Sequence, residues 1–421
     1  MKEIQKKIIS INEYIIAFLL ILGTNTIYFS TIKINFHINI LTALFIIIYF
    51  FNKYIFDTKW KKMLENITNI FKKNYGIIIA IYLFLTIFAL FNNINNKNFI
   101  SLYFVILPIL IVIYKENINI ISNIMNKIVK ITVVLSLISL VCYFTIDVLH
   151  IVNYTGKVDI AWDSKSVNSF LNIYFNTQKY SFNNYTITRN TGIFTEAPMY
   201  SLVLIIALAY LELFTKNTNN INILRTILII TILTTFSTTG YISMLLIYLF
   251  KLINQINKNT KNKKKIILGI VLSMIIFSIL SFILLNNRLK TASGSIRIDD
   301  YISSYKAWIN NDIIFGVGYR NEDEIIKYMS GFRNYNHGLS NSFMVVLAEG
   351  GLYLLSLYIV PLILCNYFAI KQKKYNINEF SCIIFLLFLT TIFFHSSLMM
   401  NILAIGIVYI IKSLSLKGVE K

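Results

Sequence analysis

Residues 130–149 read KITVVLSLISLVCYFTIDVL, and no charged residue interrupts this run between Lys130 and Asp147. An α-helix rises about 1.5 Å per residue and the hydrocarbon core of a bilayer is about 30 Å thick, so about 20 mostly apolar residues can cross it. The apolar residues follow one another without the two-residue alternation of membrane β-barrel strands. This stretch therefore predicts a membrane-spanning helix.

The rest of the chain repeats this composition. Of its 421 residues, 56% are hydrophobic and 14% are charged, which leaves too few polar side chains to cover a soluble protein. A soluble enzyme, a disordered protein, a collagen-like fibre and a loop-rich secreted scaffold are thereby excluded. Further apolar stretches lie at 11–31, 37–56, 76–93, 99–114, 195–214, 221–236, 239–254, 265–285, 341–369, 378–395 and 397–413. The expected fold class is an all-α integral membrane protein, a single polytopic domain over 1–421 with about 12 transmembrane helices.

The formal net charge is +20, from 39 Lys and Arg against 19 Asp and Glu. In a soluble protein this excess would suggest a nucleic-acid partner. In a membrane protein, Lys and Arg are retained on the cytoplasmic side and set the topology. When the N-terminus is placed in the cytoplasm, most of the basic excess falls on the inner side, in segments such as 251–265. The sequence therefore predicts cytoplasmic N- and C-termini and no nucleic-acid partner.

Two predicted outer loops, 150–194 and 286–340, are longer than a turn requires. Long ordered loops usually carry function, and the second is expected to hold most of the site residues. The cysteines lie inside predicted spans and form no disulfide framework in these loops (Cys142, Cys365 and Cys382). The sequence contains no Cys-x-x-Cys, no His-Glu-x-x-His and no His pair at metal-binding spacing, so we expect no metal site.

Arginine is scarce in this chain, which has 33 Lys but six Arg. Five of the six lie in the two long loops: Arg189, Arg288, Arg297, Arg320 and Arg333. Lysine would set the topology equally well, whereas the planar guanidinium binds phosphate or carboxylate through two parallel hydrogen bonds. Some of these arginines are expected to pair with nearby acids instead. The pattern predicts an anionic substrate at the outer membrane surface.

The segment 189–198, RNTGIFTEAP, places an arginine and Glu196 where the chain re-enters the bilayer. An acid at a helix start is favoured by the helix dipole, so Glu196 has a simple explanation as a capping group. Ionisable groups at this depth are also uncommon and usually face a cavity. Both interpretations, a cap and a functional carboxylate, stay open at this point.

The second long loop contains a glycine-rich segment and an acidic pair. Residues 312–320 read DIIFGVGYR, in which the glycines permit a tight turn and a close approach of two backbones. Asp299 and Asp300 resemble a metal-binding pair, but a salt bridge with the adjacent Arg297 is the favoured interpretation.

The same loop ends in a histidine-containing segment. Residues 337–343 read HGLSNSF and lead to Glu349-Gly350-Gly351 inside the next predicted span. Histidine accepts a proton near neutral pH, and His337 follows four of the five outer arginines in one loop. The other histidines lie at span ends or in a tight outer turn, where a structural role is the usual explanation (His37, His150 and His395).

Short motifs follow one another in a fixed order from the sixth predicted span to the tenth. They are Arg-x-x-Gly-x-Phe-x-Glu at 189–196, Ser-Thr-Thr-Gly at 237–240, Arg297 with Trp308, Phe-Gly-Val-Gly at 315–318, and Ser340-Asn341 followed by Glu349-x-Gly351. This order resembles the O-antigen ligase and polymerase family of bacterial envelope glycosyltransferases. The resemblance covers about residues 185–355 at motif level and the remainder only by hydropathy.

The resemblance implies a membrane enzyme that transfers a glycan from an undecaprenyl-diphosphate carrier to an acceptor at the outer face of the cytoplasmic membrane. It implies no nucleotide sugar, no metal and no other cofactor. Carried over to this chain, Arg189 and Arg297 clamp the diphosphate. Further substrate-binding candidates are Arg320, Arg333 and Asn341.

The catalytic base implied by the resemblance is not fixed by the sequence. Many relatives carry His directly before the Asn of the last motif, where this chain has Ser340. The turn at 237–240 also lacks the arginine that ligases often carry there. The base therefore stays open between His337 and Glu196.

The function expected first is a polymerase that joins lipid-linked oligosaccharide repeat units of an O-antigen, capsule or exopolysaccharide. A ligase that attaches finished glycan to another acceptor is the alternative within the class, and a flippase or transporter of lipid-linked oligosaccharide is the alternative from another class. Transporters tend to have ionisable residues at mid-membrane, whereas the polar residues here concentrate in two outer loops. The implied setting is the bacterial inner membrane, with an outward-facing site and with membrane lipid, a flippase and a chain-length regulator as partners.

Overall fold

A computed structural model describes residues 2–30, 35–54, 60–94, 96–160, 165–182, 185–215, 219–258, 292–333 and 338–417. Its helices are α1 (Lys2–Leu22), α2 (Ile27–Ser30), α3 (Asn35–Tyr54), α4 (Trp60–Phe91), α5 (Lys97–Glu116), α6 (Asn119–Val148), α7 (Ala197–Phe214), α8 (Asn219–Thr234), α9 (Thr238–Lys258), α10 (Ala292–Ile309), α11 (Glu322–Ile326), α12 (Ser342–Lys371), α13 (Tyr375–Thr390) and α14 (Ser397–Lys417). Helices α5 and α6 include π-helical turns at Ile100–Ile106 and Tyr143–Val148. The described chain is mostly helical, as the hydropathy pattern predicts.

Seven of the described helices are long and apolar enough to cross a membrane. Their apolar segments are Phe36–Lys53, Lys72–Phe91, Lys97–Glu116, Asn119–Val148, Ala197–Phe214, Ser342–Lys371 and Ser397–Ser415, and shorter apolar helices lie at Asn220–Thr234, Thr238–Asn254 and Tyr375–Thr390. Of the other two predicted spans, 11–31 falls mostly on α1, which is not among these helices, and 265–285 lies outside the described residues. The number of spans therefore stays a prediction.

The first long loop folds into short β-strands, which hydropathy did not predict. Strands β1 (Gly156–Ile160), β2 (Lys165–Phe170) and β3 (Tyr174–Asn176) form an antiparallel sheet, and β4 (Lys179–Phe182) pairs with β5 (Tyr185–Thr188). The carboxylate of Asp147, at the end of α6, accepts hydrogen bonds from the Tyr174 hydroxyl (2.5 Å) and the Asn176 amide (3.1 Å). These bonds fix the sheet to one end of helix α6.

Helix α7 lies at the centre of the helical assembly. It is apolar on every face and 89% of it is buried, which is typical of a helix surrounded by protein. It packs against α6, α8, α9 and α13. Pro198 lies in its first turn, where the missing N–H has no intrahelical partner to lose. Glu196, the residue before α7, is thereby placed at the centre of one end of the bundle.

Helix α12 is interrupted at Gly351, whose φ of 58° and ψ of −162° are not helical. An interruption leaves backbone groups of both half-helices without partners, and the loop 313–318 supplies them. The N–H groups of Val317 and Gly318 donate to the carbonyls of Ala348 and Glu349 (2.8 and 3.1 Å), and those of Leu352 and Tyr353 donate to the carbonyls of Ile313 and Ile314 (3.1 and 2.9 Å). The break is stable because protein groups satisfy its backbone.

Two glycines allow this loop to touch the interrupted helix. Gly316 and Gly351 both have positive φ, 74° and 58°. A Cβ on Gly316 would lie 2.3 Å from the carbonyl oxygen of Ala348, and one on Gly351 would lie 2.2 Å from that of Ile314. The close backbone approach predicted for the segment 312–320 is confirmed.

Helix α12 ends and helix α13 begins at the same short turn, but the two helices have 30 and 16 residues. At about 1.5 Å per residue these lengths correspond to about 45 Å and about 24 Å. The start of α12 nevertheless lies beside the end of α13, as the hydrogen bond from the N–H of Ser342 to the carbonyl of Thr391 (3.1 Å) shows. The part of α12 before Gly351 must therefore turn away from the axis of the rest, and the remaining segment, 352–371, is about long enough to cross a bilayer by itself.

Residues predicted for the same side of the membrane lie together in the structure. At the predicted inner end, the buried Glu212 carboxylate contacts Nη2 of Arg225 (3.2 Å) and Nζ of Lys251 (2.6 Å). At the other end, Thr26 after α1 forms a β-bridge with Phe194 before α7. This grouping agrees with the predicted topology, and the assignment of one end to the outside stays a prediction.

Candidate functional site

Arg189 joins the first long loop to the turn between α8 and α9. Its Nε donates to the carbonyl of Thr235 (2.9 Å), its Nη2 to that of Phe236 (3.1 Å), and its Nη1 to Oε1 of Gln178 (3.1 Å). The residue is 8% exposed. These bonds hold the Ser-Thr-Thr-Gly turn at 237–240 in place, so the guanidinium of Arg189 builds the frame of the site.

Glu196 is partly buried just before α7. It occupies the N-cap position but its side chain makes no capping bond; it bonds to Gln178, whose Oε1 also accepts the N–H of Ala197 (3.2 Å). Burial raises the pKa of the Glu196 carboxyl, and the guanidiniums of Arg297 and Arg189 oppose this rise. The structure therefore places a carboxyl with a raised pKa within the electrostatic reach of two arginines.

Arg297 lines a cavity of about 240 Å³. The walls come from the starts of α9 and α12, from α10 and from the end of α13, with Thr238, Thr239, Tyr301, Ser340 and Leu386 among them. Its Nη1 donates to the carbonyl of Thr390 (3.0 Å). Among the described residues, Arg297 donates no other hydrogen bond to the protein. The remaining N–H donors of its planar guanidinium are therefore available to a ligand in the cavity.

Arg333 is 4% exposed and bonds to acids on α10. Its Nη1 contacts the carboxylates of Asp300 and Asp299 (3.4 Å for Asp299), and its Nη2 donates to the carbonyl of Gly338 (2.7 Å). Asp299 also accepts hydrogen bonds from the N–H and hydroxyl of Ser330. This placement favours a structural role for Arg333.

The acidic pair itself has a different partner from the one predicted. Asp299 and Asp300 bond to Arg333, whereas the favoured partner in the sequence was Arg297; that prediction was wrong. Arg297 donates instead to the carbonyl of Thr390, and the chain fold brings Arg333 to the buried side of α10, where its Nη1 contacts both carboxylates. Burial raises the pKa of Asp300, and the Ser340 hydroxyl, Arg333 and Arg297 oppose this rise.

Asn341 is the N-cap of α12. Its Oδ1 accepts the N–H of Met344 (2.8 Å), which satisfies one of the free N–H groups at the helix start. Its Nδ2 is buried and has no protein partner among the described residues. The neighbouring Ser340 lines the cavity of Arg297, so Asn341 lies at the border of the site.

Arg320 belongs to a separate cluster beside the break in α12. Its N–H donates to Oε2 of Glu349 (3.0 Å), and the same oxygen lies 3.4 Å from Nε2 of His395. Nδ1 of His395 lies 2.8 Å from the Tyr319 hydroxyl. Burial and the Arg320 guanidinium lower the pKa of His395, and Glu322 opposes this effect. This lowered pKa favours the uncharged imidazole, whose Nε2 lies in contact with the Glu349 carboxyl.

Two sequence candidates cannot be placed: His337 and Arg288 lie outside the described residues. The structure brings Arg189, Glu196 and Arg297 together and links Asn341 and Arg333 to them through Ser340 and Asp300. Within the described residues, no group of three or more His, Cys, Asp and Glu side chains is arranged to hold a metal ion.

The part of the chain that forms the cavity of Arg297 and the break in α12 also has a match among known families. Residues 223–359 match the family model described as O-antigen ligase. The match supports membership of the O-antigen ligase and polymerase family, and the resemblance predicted from the motifs is confirmed. A search of curated proteins found no match. The matched segment begins in α8 and ends in α12, so Arg189 and Glu196 precede it.

Sequence reasoning missed two residues of these clusters. Gln178 bonds to both Arg189 and Glu196, and an isolated glutamine in a polar loop gives no signal in a sequence. His395 was assigned a structural role because it lies in a short turn. The signal that could have identified it is Glu349, since an acid inside an apolar stretch must find a partner.

Proposed function

We propose that this protein is a polysaccharide polymerase at the outer face of the bacterial cytoplasmic membrane. Its donor is a glycan linked to undecaprenyl diphosphate, and its acceptor is a hydroxyl of a second lipid-linked repeat unit. The family match supports a ligase- or polymerase-type activity. The donor, the acceptor and the outward orientation are part of the proposal.

The observation that carries the proposal is the position of Arg297 in a cavity at one end of apolar helices. Breaking a sugar–phosphate bond develops negative charge on the departing diphosphate. A guanidinium held in place stabilises this charge more in the transition state than in the ground state. Within the part of the chain that the structure describes, Arg297 donates one hydrogen bond, to the Thr390 carbonyl, and it can direct the rest of its donors at a phosphate.

The reaction requires a proton acceptor beside the arginine. The acceptor hydroxyl oxygen forms a bond to the anomeric carbon of the donor, the bond from that carbon to the diphosphate oxygen breaks, and the lipid diphosphate leaves with the electron pair. We assign the hydroxyl proton to Glu196, whose raised pKa brings it closer to the optimum for a general base near neutral pH. His337 is the other candidate for this step.

The size of the cavity limits what it can hold. Binding pockets for whole drug-sized ligands measure about 300–1,000 Å³, and this cavity measures about 240 Å³. It therefore suits the diphosphate and an adjacent sugar, with the glycan chain in the aqueous phase and the isoprenoid tail among the apolar helices.

Deleting the gene and separating the surface polysaccharide on a gel tests the proposal. A polymerase predicts single-repeat products in the deletion strain, with the ladder restored by the wild-type gene. Long chains that are not attached to their final acceptor would identify a ligase. A normal ladder would contradict both activities.

Glu196→Gln tests the base. We expect a fall in turnover of about 10²–10⁴-fold, typical of losing a general base, and loss of the acidic limb of the pH–rate profile. In the wild-type enzyme this limb should lie above the usual pKa range of a glutamate, because burial raises the pKa of Glu196 and only the deprotonated form accepts a proton.

The same substitution should not destabilise the protein at neutral pH. A carboxyl whose pKa is raised on folding loses its stabilising contribution as pH rises through the folded-state pKa, and glutamine stays uncharged there. The isosteric control is Glu324→Gln, which changes a partly exposed acid paired with Lys327. Full activity of Glu196→Gln at all pH values would assign the base to another residue.

A further inference from the structure

Helix α10 has an inverted distribution of polar and apolar side chains. Its buried face carries Asp299, Asp300, Ser303, Ser304 and Ala307. Its exposed face carries Ile298, Ile302, Tyr305 and Ile309, each 44–46% exposed. We call these four residues the α10 stripe. A helix on the surface of a water-soluble domain shows the opposite arrangement, so a medium other than water must cover the stripe.

The depth of α10 is fixed by two bonds to the end of the apolar helix α13. Nη1 of Arg297 donates to the carbonyl of Thr390 (3.0 Å), and the Tyr301 hydroxyl donates to the carbonyl of Leu389. Leu389 and Thr390 are the last residues of the apolar helix α13. The first half of α10 therefore lies level with the end of a helix in the bilayer, where hydrocarbon meets the headgroups.

The composition around the stripe fits this depth. Tyr305 packs edge-on against Trp308 (ring centroids 5.8 Å apart), and Trp308 donates its indole N–H to the carbonyl of Ile313. Tyr and Trp are enriched at the membrane–water boundary because their rings are apolar and their polar atoms need partners. Lys306 is exposed beside the stripe, and its long side chain can reach the headgroups from there.

The exposed apolar surface also continues beyond α10. Ile313 and Ile314, in the loop that pairs with α12, are 46% and 55% exposed. Phe315 stacks on Phe91 at the end of α4 (centroids 4.3 Å apart). Helix α4 is apolar, and only 17% of its apolar segment is buried against protein. The stripe is thus continuous, through this loop, with the surface that the membrane helices present to lipid.

We infer that α10 is an interfacial helix that lies on the bilayer with the α10 stripe inserted among the lipids of the predicted outer leaflet. The occupant of this surface is the lipid itself, and the insertion depth expected for such a helix is about 5–10 Å below the headgroups. Ile298 belongs to the stripe and also lines the cavity of Arg297. This geometry places the cavity at the height of a lipid headgroup, so that a lipid-linked diphosphate can reach Arg297 from the leaflet. This route for the substrate rests on the proposed function, whereas the insertion of α10 does not.

Spin labels on the full chain in lipid nanodiscs test the insertion. Labels are placed at Ile302→Cys and Ile309→Cys in a background with alanine at Cys142, Cys365 and Cys382. Leu137→Cys, exposed on α6 inside a membrane segment, is the lipid reference, and Asp323→Cys, exposed on α11, is the water reference. Power saturation compares collisions with oxygen, which concentrates in lipid, and with a water-soluble nickel chelate.

The expected result is that labels at 302 and 309 collide with oxygen as the label at 137 does and are protected from the chelate, at a shallower depth. Chelate accessibility equal to that at position 323 would overturn the inference by placing α10 in water. Protection from both reagents would also overturn it, because protein would then cover the stripe, either another part of this chain or a second copy. None of these readouts requires enzymatic activity, so a failed polymerase assay leaves the test intact.

Discussion

Arg297→Ala is expected to reduce polymer formation by about 10²–10³-fold, the effect of removing one donor that stabilises charge in a transition state. The amount of protein in the membrane should not change. The hydrogen bond that Arg297 donates among the described residues goes to the Thr390 carbonyl. Such a bond contributes about 0.5–1.5 kcal/mol to a total stability of about 5–15 kcal/mol. A gel of the polysaccharide and an immunoblot of the membranes measure the two quantities.

Arg297→Lys separates the geometry of the fork from its charge. Lysine keeps the positive charge but loses the two parallel donors, so we expect poor rescue. Lys306→Ala is the matched control, since it removes an exposed cation from the same helix and should leave the ladder unchanged. If Arg297→Lys had full activity, bidentate binding of the diphosphate would be wrong.

Arg189→Ala should behave differently from Arg297→Ala. It removes the hydrogen bonds of an 8% exposed side chain to Gln178, Thr235 and Phe236 and leaves the carbonyls of Thr235 and Phe236 without these donors. Each unsatisfied buried group costs about 1–3 kcal/mol. We therefore expect less folded protein as well as less polymer, a contrast that distinguishes the frame of the site from its ligand-binding group.

Gly351→Ala is expected to abolish accumulation of folded protein. The new Cβ would lie 2.2 Å from the carbonyl oxygen of Ile314, a backbone atom, at a φ of 58°. Strain of this kind costs about 1–3 kcal/mol. Displacing the loop would also break up to four backbone hydrogen bonds across the interruption of α12, at about 1–3 kcal/mol for each group left unsatisfied. The sum is comparable with the whole stability of a domain.

Gly331→Ala provides the control for this substitution. Gly331 lies in the second long loop, which also supplies the segment 313–318 that contacts Gly351, and a Cβ on Gly331 would meet no atom within 4 Å. Thermal unfolding in detergent and the level of protein in the membrane compare the two variants. Gly316→Ala should match Gly351→Ala, because its Cβ would lie 2.3 Å from the Ala348 carbonyl. An unfolding temperature of Gly351→Ala equal to wild type would show that the break does not depend on this approach.

The sequence indicated the unusual segments on both sides of the helix break, but it did not predict the break itself. The glycines at 316 and 318 indicated a close backbone approach, and Glu349-Gly350-Gly351 stood out inside a span. Nothing in either segment indicated that the other was its partner. A run of residues 341–369 has the hydropathy of one continuous span whether or not its axis bends, because hydropathy does not depend on direction.

The arginines show how far residue type predicts role. A scarce residue in two loops drew attention to Arg189, Arg297 and Arg333, but the three have different surroundings in the structure. Arg333 is buried with Asp299 and Asp300, Arg189 bonds to a turn, and Arg297 faces a cavity. These differences depend on how deeply each arginine is buried and on which residues surround it. Neither can be read from the position of an arginine in the sequence.

The sequence by itself determined the membrane class, the places of most apolar helices and the family resemblance. Transfer of a segment into lipid depends on its own 20 or so side chains, and that local sum can be read directly. Only the tertiary structure decided the strands of the first long loop, the interruption at Gly351, the pairing of Arg333 and the contact of His395 with Glu349. Each of these joins residues distant in the chain, and each polar group takes the partner that burial leaves available. The fold decides which partner each polar group contacts, and a short sequence motif contains only one of the two residues in each contact.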